Sequence, residues 1–63
     1  MTYKDVCEII ERANFLKGID DKPLTANQIF NYSSTGELYM IYEWYETACK
    51  ILNIKMEENE WRK

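Results

Sequence analysis

Sixty-three residues suffice for one domain and no more, and at this size the stability margin is only about 3 to 9 kcal/mol, so self-association is an open route to further burial. Hydrophobic residues at 46% and aromatics at 14% support a packed core and argue against an intrinsically disordered chain. A net charge of -3, with 11 acids spread along the chain against 8 bases, disfavours DNA or an acidic membrane as partner and is too diffuse for a DNA mimic.

The N-terminal stretch MTYKDVCEIIER carries no apolar leader, and the longest apolar run is LYMIY, residues 38 to 42. Neither a signal peptide nor a membrane span is expected, and the pair Cys7 and Cys49 is expected as reduced thiols in a cytoplasm. Thr2 with Asp5 approximates a capping box, and Met1 with Val6 occupies the positions of a hydrophobic staple. Helix 1 is therefore predicted from about Tyr3 to Lys17, stopped by Gly18, with an apolar stripe of Val6, Ile9, Ile10, Ala13 and Leu16. Phe15 lies off that stripe, among Glu8, Glu11 and Arg12. It either folds against Ile19 and Leu24 or serves as a contact point for a partner.

Asp20, Asp21, Lys22 and Pro23 read as a turn. Thr25 with Gln28 repeats the capping box and Leu24 with Ile29 the staple, predicting a short helix 2 over Ala26 to Tyr32 that buries Ile29 and Phe30. NYSSTG is the next break, and Ser34 with Glu37 makes a third capping box. Helix 3 is predicted from Thr35 to Met56 or Glu58, so that a single helical domain covers residues 1–58 and residues 59–63 form a frayed charged tail. Trp61 in that tail is expected to cap the end of the bundle.

Projected at 100° per residue, helix 3 carries two apolar seams. Leu38, Ile41, Tyr45, Ala48, Leu52 and Met56, widened by Tyr42 and Cys49, form the first; Met40, Trp44, Thr47, Ile51 and Ile54 form the second. Between them runs a polar strip that includes Tyr39, Glu43, Glu46 and Lys50, the last two spaced for an ion pair. A helix facing one neighbour needs a stripe of only about 100°, so one partner helix cannot bury both seams. A helix 2 of about 10 Å falls short of the roughly 17 Å from Met40 to Ile51. Either helix 2 nevertheless covers the second seam, or another chain does.

Catalytic chemistry is poorly provided for. The chain has no histidine, its two cysteines lack the paired spacing of a zinc site, and two glycines cannot build a phosphate loop. No catalytic, cofactor-binding or metal-ligating residue is assigned, and an enzyme is not expected. The short helix, turn and longer helix from Thr25 to Tyr45 have the outline of a helix-turn-helix, the alternative reading as a DNA-binding regulator. Against it, no Lys or Arg occurs between Gln28 and Cys49, where base edges and phosphates would have to be met.

The expected fold is all-α: three helices, with the long C-terminal helix packed antiparallel on the N-terminal one and a short connecting helix. The expected function is a cytosolic protein-binding or regulatory module, an adaptor or inhibitor, and a homodimer. A bias to Lys, Asn, Ile, Tyr and Glu, about half of the chain, points to a low-GC bacterium or one of its phages. The candidate contact residues are Met40, Trp44 and Ile51, with Glu43 and Lys50 as rim charges and Phe15 and Tyr39 as secondary points.

Overall fold

The computed structural model describes residues 2–33 and 38–57. Three α-helices and no strand occur among them: α1 (Tyr3–Ala13), α2 (Ala26–Ser33) and α3 (Leu38–Leu52). Both testable capping boxes form. The Thr2 hydroxyl accepts from the Asp5 N–H at 3.2 Å while the Asp5 carboxylate accepts from the Thr2 N–H at 2.9 Å. Thr25 and Gln28 make the same reciprocal pair at 3.2 and 2.9 Å. These bonds satisfy N–H groups that a helix start leaves without intrahelical acceptors. The third box, Ser34 with Glu37, lies outside the described residues, as do Met1 of the first staple, Trp61 and the tail 59–63.

The helix ends differ from expectation. α1 stops at Ala13 rather than Lys17, because Asn14 takes the left-handed conformation (φ 58°, ψ 36°) and its N–H turns back to the Glu11 carbonyl at 3.0 Å. α3 stops at Leu52 rather than Met56, because Asn53 is left-handed as well (φ 57°) and Ile54 N–H closes on the Cys49 carbonyl at 3.0 Å. Asparagine enters this region more readily than other residues that carry a Cβ.

Gly18 has another job. Residues 15–25 form a short hairpin, with Leu24 N–H donating to the Leu16 carbonyl at 3.0 Å and Gly18 N–H to the Lys22 carbonyl at 2.8 Å. A Cβ on Gly18 would meet Leu24 Cδ2 at 2.9 Å, so the missing side chain lets Leu24 lie across the hairpin. At the tip, Asp20 and Asp21 both stand at φ 61° and Ile19 is 88% exposed.

α1 packs against both other helices, most extensively against α3. The core consists of Val6, Cys7 and Ile10 from α1, Ile29 from α2, and Ile41, Tyr45, Ala48 and Cys49 from α3. This is the first seam of α3 meeting the stripe of α1, as their spacing predicts. Phe30 departs from expectation: it is 43% exposed, its ring set edge-on to Tyr3 at 5.2 Å. Being next to Ile29, it points about 100° away from the face that Ile29 buries.

Candidate functional site

The second seam of α3 is divided along its length. At its N-terminal end Met40 and Trp44 are half-buried, and the Trp44 indole is met edge-on by Tyr32 of α2, ring centres 5.5 Å apart. α2, with 8 residues, is about 12 Å long and ends its cover there. Beyond it Thr47 is exposed, Ile51 is 51% exposed, and Ile54, just past the Asn53 cap, is 40% exposed. The length argument made from the sequence thus holds for the C-terminal half of the seam and not for the N-terminal half. Trp44 belongs as much to the fold as to the surface.

The three helices are in mutual contact, α1 against α2 and α3 and α2 against α3, so among the described residues α3 has neighbours on its inner side and at Trp44, while its polar strip and Ile51 stay open.

Charges flank that face. Glu43 and Lys50 are exposed on the same edge, seven positions and so about two turns apart. Lys50 Nζ lies 4.0 Å from Glu46 Oε2, with both side chains at least half exposed, a contact that contributes little. Of the secondary points, Phe15 is half-buried against the core, and Leu16 and Leu24 pack there too, whereas Ile19 turns outward and covers nothing. That makes Phe15 part of the packing rather than a free contact. Tyr39 is in α3, but its side chain lies outside the described residues.

No family model, curated protein or solved structure matches this chain.

Two features were not apparent from the sequence. An open groove of about 790 Å³ runs between the hairpin and α2, lined by residues that include Gly18, Lys22, Leu24, Gln28 and Tyr32. The signal for it was the hairpin itself, which a helix 1 continued to Lys17 had concealed. Secondly, Cys7 is fully buried although it lies off the predicted stripe of α1; Cys49 is buried on the first seam of α3, where its spacing puts it, and both thiols are free. Burial, with the Glu8 charge adding to it, pushes the Cys7 thiol up to about 11, and burial also raises that of Cys49 against an opposing hydrogen bond from Tyr45. At neutral pH both are protonated and make poor nucleophiles. Among the described residues no three His, Cys, Asp or Glu side chains are grouped to hold a metal ion, and no helix is long and apolar enough to cross a membrane.

Proposed function

We propose that this chain is a small cytosolic protein-binding module, a regulator of the adaptor or inhibitor type that acts by docking the outer face of α3 on another polypeptide. The observation that carries this reading is Ile51, a large aliphatic side chain 51% exposed in the last turn of α3, with Ile54 just past the same end and half-buried Met40 and Trp44 further back along the seam. An apolar strip with a charged rim is the composition expected of a contact surface, in which a few central side chains supply most of the affinity. The charge of the exposed face speaks for a protein rather than a nucleic acid: Glu43 and Glu46 stand there against Lys50 alone.

Ile51→Glu tests the reading more cleanly than a change at Trp44, which would also loosen the contact with Tyr32. Tagged wild-type protein and the variant are compared for capture of proteins from a low-GC bacterial lysate, with helicity followed by circular dichroism. The expected outcome is a captured protein lost on substitution while helicity persists. Unfolding of Ile51→Glu comparable to that of Tyr45→Ala would instead assign Ile51 to the core.

A further inference from the structure

The face of α3 is complementary to itself. Its C-terminal end exposes Ile51, whereas at its N-terminal end the same seam carries the half-buried Met40 and Trp44, with their inner sides against the fold and Tyr32 on the Trp44 ring. Between the two stands Thr47, a small exposed side chain that lets a second helix approach closely. Along one edge the charge runs from Glu43, at the Trp44 end, to Lys50, at the Ile51 end.

Resting on the reading of this face as a docking surface, we propose that its partner is a second copy of this chain, paired α3 to α3 in antiparallel about a two-fold axis near Thr47. In that arrangement Ile51 of each copy covers Met40 and Trp44 of the other, and Glu43 of each copy faces Lys50 of the other. Such reciprocity is the signature of an isologous contact, in which each surface supplies both halves of the match. The charges select the direction. A parallel two-fold pairing carries the edge with Glu43 and Lys50 to opposite sides of the pair and brings neither charge to its counterpart, whereas the antiparallel one sets like edges together and makes two attractive pairs from the four groups. The intrachain competitor is weak, since Lys50 and Glu46 approach only to 4.0 Å.

One exposed helical face offers less than the roughly 800 Å² per partner of a standard interface, so a dissociation constant in the micromolar range is expected. Sedimentation equilibrium over a range of protein concentrations tests the proposal with five proteins: wild type, Glu43→Lys, Lys50→Glu, the double reversal and Ile51→Glu. All substituted positions are solvent-exposed, and circular dichroism verifies that each variant stays helical. The wild type is expected to dimerise, each single reversal to weaken the dimer about tenfold by turning two attractions into repulsions, and the double reversal to restore it. A dimer that the double reversal fails to rescue overturns the antiparallel register and with it the proposal. A wild type that stays monomeric up to about 1 mM overturns self-pairing but leaves the docking face intact, provided Ile51→Glu still abolishes capture of another protein. If wild type and Ile51→Glu dimerise equally well, the copies pair through another surface and the proposed α3 to α3 contact falls.

Discussion

Tyr45 joins the core to the chain that follows α3. Its ring is fully buried, its hydroxyl accepts the Glu57 N–H at 3.0 Å, and it also hydrogen-bonds the Cys49 thiol. Tyr45→Phe keeps the ring and removes the acceptor that holds residues 54–57 against the helix, so a loss of about 1 kcal/mol is expected from urea midpoints. Tyr45→Ala also empties a core position, at about 3 to 5 kcal/mol, a large share of the stability of a chain this short. The same neighbourhood predicts an alkaline limit. Cys7 is raised by burial from 9.0 to about 11, and the Tyr45 phenol is raised by burial too. Between these values the unfolded thiol ionises while the folded one keeps its proton, so the folded state binds more protons and stability falls as pH rises. For Cys7 the contribution is complete below pH 9, is lost by about pH 11, and amounts to about 3 kcal/mol. Cys7→Ala should flatten the decline in a series of denaturation curves from pH 8 to 11; an equally steep decline in the variant would remove Cys7 as its cause. Asp5 works at the opposite end: its N-terminal hydrogen bond from Thr2 holds the carboxyl below its ordinary value, a contribution present at neutral pH and lost on acidification.

At the scale of elements, the hairpin tip is the place where a substitution should stabilise. Asp20 and Asp21 occupy consecutive left-handed positions, and Lys22 N–H closes back on the Ile19 carbonyl at 3.3 Å, the geometry for which Asp-Gly is favoured over Asp-Asp. Asp21→Gly is expected to raise stability by about 0.5 to 1 kcal/mol in thermal or urea unfolding, and a decrease would show that the Asp21 side chain supports the turn. Helix starts were legible in the sequence because a capping box is a local chemical pattern: Thr2 with Asp5 and Thr25 with Gln28 each satisfy the backbone within one turn. Helix ends were not. Asn14 and Asn53 can continue a helix or turn left-handed, and their choice is made by what the next residues pack on. Leu16 and Leu24 meet the core only across the hairpin, and Met56 meets it only after the chain turns at Asn53. Reading Gly18 as the stop followed the commoner residue and missed its role in packing against Leu24.

For the whole molecule, periodicity identified the inner seam of α3 and, Cys7 apart, the buried stripe of α1, because those faces meet each other and Ile29 of α2 in one core. The outer seam was only half legible. Its spacing fixed which residues share a face, but whether α2 would lie over Met40 and Trp44 depends on a three-dimensional path that no local pattern encodes. The length of α2 did set a limit, and Ile51 lies beyond it. Among the described residues α1 and α2 leave one side of α3 uncovered, which is why the question of a second chain arises from the fold as well as from the chain's small size.

The placement of the two thiols turns the protein into its own gauge of opening. Cys7 is fully buried and Cys49 nearly so, hence a thiol reagent in solution can reach either only when the helices separate. Under native conditions the labelling rate is then the intrinsic thiol rate multiplied by the fraction of molecules open. It needs no denaturant and no partner. If opening requires the pair of chains to part first, labelling of both cysteines slows as the protein is concentrated; if each chain opens alone, the rate is the same at every concentration.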